Sequence, residues 1–569
     1  MTQATRLGGD FRLLNASELM RQGRPESAAP ILRALVKDSP RLAQAHRLLG
    51  VALHELGDLA GAEDAFRRAL ALEPGLIEAA TGLSELLRAQ GRAEEAVAVL
   101  APLVTPATTN LSLLSYFGHA LQSVGRLGEA TAVFRRAADA NPASAVAEHN
   151  LAGALIEAKD YDPGAAAIER AFAKGLDAPE TWLQYARALT PLGRTREAET
   201  AYGEVLKRRP GHIDAIAELA ELAWLYTGDE RAARAVFAEA ARRAVPSTAL
   251  LHRKARLLEY LGDLPGAYEA MNEAIRLGET AAAHVTALQI AVRIAPERAE
   301  FHALRALALG PEEPDTIAAA CQSMLATGRP DEAEIVATKI CRHLPTDQYA
   351  LALLATAWRL LGDPRYRDLY DYGAFVRSWR LDTPTGWSTL ESYLDDLRAA
   401  LLPLHTYRGH PVGQSLRHGS QTFQDLARSE APVFKALFEA IDGPIRRHLE
   451  AVGPGDDPHR RRATGGYRIA GLWSVKLPAG GYHIDHVHPS GWLSSALHIA
   501  LPQAVETPPA GWLKFGEPGI PTLPSLGPDH FVRPEPGRLV LFPSYMWHGT
   551  APFSGDEDRL TVAFDIMPG

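Results

Sequence analysis

Cysteine is nearly missing from this chain, with two in 569 residues, Cys321 and Cys341. A disulfide framework is therefore excluded, and both residues occupy buried-type positions where a small apolar side chain would pack, which assigns them to packing rather than catalysis. No run of about 18 apolar residues occurs, so no membrane-crossing helix is expected. The opening Met1-Thr2-Gln3-Ala4-Thr5-Arg6 lacks the apolar stretch that export needs, and the expected location is cytoplasmic. A long basic run is also absent, and 59 Lys plus Arg against 68 Asp plus Glu leave a formal charge of -9. That balance argues against nucleic acid as a partner. With 46% hydrophobic and 22% charged residues, neither disorder nor membrane residence is indicated.

What the chain has in quantity is glycine and alanine at a fixed interval. Gly23, Gly57, Gly91 and Gly125 follow one another at 34 residues, and Gly193, Gly262, Gly328 and Gly362 continue the series with small slips. Between glycines the apolar residues recur at three and four, the spacing of one helix face. Each unit thus reads as two helices joined at a glycine turn, with Pro40, Pro74, Pro142, Pro210 and Pro345 closing the second helix. Units begin near residues 9, 43, 77, 111, 145, 179, 213, 248 and 314, with a half unit from Gln348 to Gly362. Residues 280–313 keep only a degenerate, helical version. Leu49, Gly50, Ala62, Phe66 and Ala69 followed by Pro74, and Gly118, Ala130, Phe134, Ala137 and Pro142, closely resemble the tetratricopeptide pattern. That resemblance implies an α-solenoid over residues 9–362 whose groove takes a protein or peptide partner, with self-association into a homodimer as a further use.

After Gly362 the period ends and aromatic residues crowd in, from Tyr366 to Tyr393. Residues 363–404 read as a connector with an amphipathic helix from Ser388 to Leu402, and a second helix is expected from Ala431 to Val452. Short β-type runs follow at Tyr467–Leu477, Leu493–Leu501, Gly511–Phe515, Arg538–Phe542 and Leu560–Ile566, the texture of an antiparallel sandwich or barrel. The fold class is therefore multidomain α + β.

The β region carries Gly481-Tyr482-His483-Ile484-Asp485-His486-Val487-His488-Pro489, then His548 at the end of a later strand and Arg559-Leu560-Thr561 beyond it. On a strand, residues two apart share a face, so His486 with His488 and His483 with Asp485 are alternative pairs. Clustered imidazoles with open positions suit divalent iron, and a buried arginine on the next strand suits a carboxylate. Trp473, Trp492, Lys514 and Trp547 are candidates for the wall of a substrate pocket.

Taken together, His486-Val487-His488-Pro489, the Leu493-to-His498 strand, Gly511-Trp512-Leu513-Lys514-Phe515, the segment ending at His548, and Arg559-Leu560-Thr561 resemble the iron(II)/2-oxoglutarate-dependent oxygenases. The resemblance covers residues 405–569. It implies a double-stranded β-helix of jelly-roll type with flanking helices, with His486, His488 and His548 on Fe(II), and Arg559, Thr561 and His498 around 2-oxoglutarate. O2 would be the second cosubstrate. His488 stands where the wider superfamily has a carboxylate; the pair His483 and Asp485 would restore one. The implied activity is a dioxygenase that hydroxylates a side chain of a protein or peptide brought by the repeats. Alternatives are a hydroxylase of small molecules or natural products, and a non-catalytic scaffold with a metal-binding sensing domain.

Overall fold

The computed structural model describes residues 3–569 except 244 and 424, with side chains from residue 11 onward. The chain divides into two compact units, Met1–Ala201 and Tyr202–Gly569.

The first unit is built of helix hairpins such as Ala43–Glu55 with Leu59–Leu72, and Leu111–Ser123 with Leu127–Ala140. Small residues set how closely the helices approach. A β-carbon on Gly50 would fall 2.7 Å from the Phe66 ring, and one on Gly118 would fall 2.5 Å from the Phe134 ring. Where the turn glycine is replaced by Lys159, the lysine takes the left-handed conformation instead, at φ 62°, a strain of about 1–2 kcal/mol that the surrounding packing sustains.

The second unit opens with more hairpins, from Ile213–Thr227 to Gln348–Leu361. The degenerate stretch forms a full hairpin, Ala281–Ile294 and Pro296–Leu309. Pro296 starts the second helix one residue after Ala295, so no turn glycine is needed. Both cysteines lie in this helical part, unpaired with each other, and burial pushes each thiol up to about 12, which keeps them protonated and inert.

Eleven strands are found among the described residues: β1 (Arg377–Arg380), β2 (Leu416–Arg417), β3 (Ser420–Gln421), β4 (Tyr467–Leu477), β5 (Tyr482–His483), β6 (Leu493–Ala500), β7 (Leu513–Phe515), β8 (His530–Val532), β9 (Arg538–Pro543), β10 (His548–Thr550) and β11 (Arg559–Pro568). They form an antiparallel major sheet in the order β1-β9-β6-β11-β4-β3, a smaller sheet β10-β7-β8, and the pair β2-β5. Helices Leu390–Leu401 and Pro432–Val452 cover one face of the major sheet. Tyr393, Leu397, Leu437 and Ile441 there meet Leu493, Leu497, Leu539, Leu541, Leu560, Val562 and Phe564 in one core. Period-two alternation on β11 then sends Arg559, Thr561, Ala563 and Asp565 to the opposite face, where all four line a cavity. The sheet also takes in β1 from the stretch expected to be a connector. Arg377-Ser378-Trp379-Arg380 has no apolar alternation because it is an edge strand, bonded only to β9.

The domain buries neutral imidazoles away from this cavity. Burial holds His448 down to about 3, and His405 and His459 down to about 4. An unfolded chain would protonate them below about pH 6.5, while the folded chain stays neutral until far lower pH. Their stabilisation is therefore present above about pH 6.5 and is lost as pH falls toward 4, on the order of 3 kcal/mol for each at full extent. The urea midpoint should drop steeply between pH 7 and pH 5; a flat midpoint over that range would contradict this account.

Candidate metal centre

The segment after β5 crosses beneath β10 and is tied to it by a two-residue bridge: His486 N–H donates to the His548 carbonyl at 3.0 Å, and His548 N–H donates back at 3.1 Å. This bridge sets the two imidazoles side by side at a tilt of 47°, with ring centres 4.2 Å apart. His488 joins them, 5.2 Å from each ring, and one ring nitrogen from each of the three lies within 4.8 Å of the others. The Nε2 atoms of His486 and His488 are 3.3 Å apart.

The outer nitrogen of each ring is fixed by an acceptor. His486 Nδ1 donates to the Ile484 carbonyl at 2.8 Å, and His548 Nδ1 donates to the Met546 carbonyl at 2.9 Å. His488 Nδ1 meets the Asp565 carboxylate at 2.7 Å. With Nδ1 carrying the proton, each Nε2 presents a lone pair to the shared centre. Burial pushes the pKa of His486 and His548 well below the ordinary imidazole value, so both are neutral bases. Three imidazoles converging on one point form a donor set that fits a divalent first-row metal.

The competing pair is engaged elsewhere. His483 Nδ1 is 2.9 Å from the Ser415 hydroxyl. Asp485 forms an ion pair with Lys514 at 2.7 Å, and Lys514 also holds Glu517. The structure thus brings together His486, His488 and His548, and turns Asp485 away from them.

Arg559 lines the same cavity, which encloses about 460 Å³. It is 2% exposed, and no carboxylate among the described residues pairs with it. Its Nη2 reaches His498 Nδ1 at 3.4 Å, while its Nε, like His498 Nε2, has no partner among the described residues. Burial lowers the guanidinium to about 10, which leaves it charged near neutrality. A buried cation with spare donors fits an anionic ligand. Thr561 is on the same wall, its hydroxyl 3.5 Å from the Val475 carbonyl. His498 stands beside the arginine without lining the cavity.

Of the proposed wall residues, Trp473 lines the cavity. Trp492 is packed in the helix-covered core with its N–H on the His459 carbonyl, and Trp547 is buried with its N–H on Thr356. Lys514 lines a neighbouring cavity. Sequence reading overlooked Asp565, which alternation from Arg559 and Thr561 places on the same face. Ser494 donates to its Oδ1 at 3.2 Å.

An antiparallel β domain with a three-histidine centre and a buried arginine, preceded by helical repeats, defines the class. Comparison with family models gives its affiliation: residues 471–565 match the family described as "Putative 2OG-Fe(II) oxygenase", and residues 13–77, 53–110 and 179–222 match tetratricopeptide repeats. The chain therefore carries tetratricopeptide repeats and a C-terminal domain of that oxygenase family. A comparison with curated proteins finds no match. Among solved structures, PilF of Pseudomonas aeruginosa is 18% identical, covering 38% of this chain and all of its own, at a TM-score of 0.35. A tetratricopeptide repeat protein of Parabacteroides merdae is 16% identical, covering 43% of this chain and 97% of its own, at 0.37. No helix among the described residues is long and apolar enough to cross a membrane.

Proposed function

We propose that this chain is an Fe(II)- and 2-oxoglutarate-dependent dioxygenase that hydroxylates a side chain of a protein or peptide recruited by its repeats. The observation that carries the reading is the pairing, in one cavity, of three imidazoles locked with Nε2 inward and a buried arginine lacking a counter-ion. His486, His488 and His548 would hold the metal, and Arg559, with Thr561 beside it, would hold the cosubstrate's carboxylate. Bound there, Fe(II) and 2-oxoglutarate supply oxygen activation, in which one O2 yields succinate, CO2 and a hydroxylated product. The chain's own part is orientation and dryness. The Ile484 and Met546 carbonyls and the Asp565 carboxylate fix the ring planes, so no rotation is needed when a ligand arrives. Phe542 packs edge-on against His548 at 4.6 Å between ring centres and puts an apolar ring beside it. The domain division proposed with this reading is 9–362 for the repeats, 363–404 for the connector and 405–569 for the oxygenase domain, in the cytoplasm.

Release of succinate from labelled 2-oxoglutarate, compared between the wild type and His548→Ala, tests the reading. Turnover in the variant should fall at least a hundredfold, since one of three ligands is lost. Equal turnover in the two proteins would refute it.

A further inference from the structure

Beside the metal-centre cavity lies a second one of about 630 Å³. The two share Tyr260, His483, Ile484 and Thr550 as lining residues, so they adjoin. One wall of the second cavity belongs to the repeats. Tyr260, Gln289 and Gln322 come from the first helices of three successive hairpins, Thr248–Tyr260, Ala281–Ile294 and Pro314–Ala326. The facing wall is the β2-β5 pair together with the segment around Lys514.

The charged groups on these walls are matched, with one exception. Arg293 is bonded to Glu259 at 3.1 Å, and Lys514 lies between Asp485 and Glu517. Arg417 has no carboxylate partner among the described residues. Its Nη1 donates to the backbone carbonyls of Gln414 and Leu416, at 2.9 and 2.8 Å, and its guanidinium lies 5.0 Å from the centre of the Tyr260 ring. No acceptor among the described residues engages its Nε or Nη2. Stacking and two backbone bonds fix the fork in place, which leaves donors set to receive a carboxylate in paired fashion. Register places Arg417 opposite Tyr482, one residue from His483, which lines both cavities.

The geometry points to the second cavity as the anchoring site of the prime substrate, a peptide whose Asp or Glu side chain pairs with Arg417. This rests on the reading of the neighbouring cavity as the oxygenase site. The anion on Arg417 is not the cosubstrate, because Arg559 supplies the cation deep in the first cavity while Arg417 belongs to the lining of the second. A peptide rather than a small acid fits for two reasons. Each cavity alone already has the volume of a small-ligand pocket, and together they extend along successive repeat helices. The Gln289 carboxamide on that wall makes no hydrogen bond among the described residues, and it offers the donor and acceptor that a peptide unit requires.

The test uses the full-length chain, anaerobic, with Fe(II) and 2-oxoglutarate. Two N-acetylated, C-amidated hexapeptide libraries are compared, one with a fixed Asp or Glu and one with Asn or Gln at the same place, and retained peptides are quantified by mass spectrometry. The wild type should retain the acidic library at least tenfold over its amide twin. In Arg417→Gln and in Arg417→Met, which keeps a long side chain without the charge, the ratio should fall to near one. A ratio near one in the wild type would overturn the proposal, whatever the variants do. So would an undiminished ratio in either folded variant. Titration of the wild type with 2-oxoglutarate alone is a separate arm: failure there defeats the reading of the metal centre, while the library ratio still decides the acidic anchor.

Discussion

Arg559→Met should lose 2-oxoglutarate binding and, without ligands, unfold at a higher denaturant concentration than the wild type. Both effects come from the same feature. Arg559 is a guanidinium carried into the interior with one long contact to His498 and an Nε that bonds to nothing among the described residues. An ion taken out of water costs several kcal/mol unless a partner restores what hydration gave, and an apolar side chain of similar volume avoids that cost. The expected gain for the ligand-free variant is about 1–4 kcal/mol, from buried charges replaced by packed apolar groups. The loss on the binding side is that of removing one partner from a buried, hydrogen-bonded charge pair, about 2–5 kcal/mol, or roughly thirtyfold to several-thousandfold in affinity. Saturating 2-oxoglutarate should accordingly raise the wild-type midpoint and leave the variant's unchanged. A variant that binds 2-oxoglutarate as tightly as the wild type, or one that is less stable without it, would remove Arg559 from this role.

How far such a site can be read in advance depends on whether its parts are related by local periodicity. The helical repeats were legible because a 34-residue spacing survives substitution, and even Lys159 keeps the turn by adopting the left-handed conformation of the glycine it replaces. Strand alternation was equally plain on β11, where Leu560, Val562 and Phe564 enter the core and Arg559, Thr561 and Asp565 the cavity. Alternation alone left two histidine pairs open, because the segment from Ile484 to Gly491 is not a regular strand. The backbone bridge between His486 and His548, 62 residues apart in sequence numbering, brings those two imidazoles together. Lys514 engages Asp485 by a contact that no local pattern encodes. The β1 edge strand and the meeting of Tyr260 with Arg417 were likewise invisible, since both depend on pairings across more than 150 residues.

Asp565→Asn should weaken metal binding by about ten- to a hundredfold with little change in overall stability. The three candidate ligands facing the centre are imidazoles rather than carboxylates, so a divalent ion there would find no anion among its direct donors. The carboxylate one step out is Asp565, 2.7 Å from His488 Nδ1. Its bond fixes the proton on Nδ1, directs Nε2 inward, and makes that nitrogen a stronger donor by leaning negative charge on the ring. The position expected to hold a carboxylate thus holds an imidazole, and the negative charge stands behind it. Asparagine can still accept the Nδ1 proton through its amide oxygen, so ring orientation is largely kept while the charge is lost. Ser494→Ala removes the hydroxyl that supports Asp565 at 3.2 Å and spares the charge, so it should weaken the metal much less. Anaerobic Fe(II) titration of the full-length chain separates the two contributions. Equal affinities for wild type and Asp565→Asn would show that orientation, not charge, is what Asp565 gives to His488, and a large loss in Ser494→Ala would place the effect in the serine network instead.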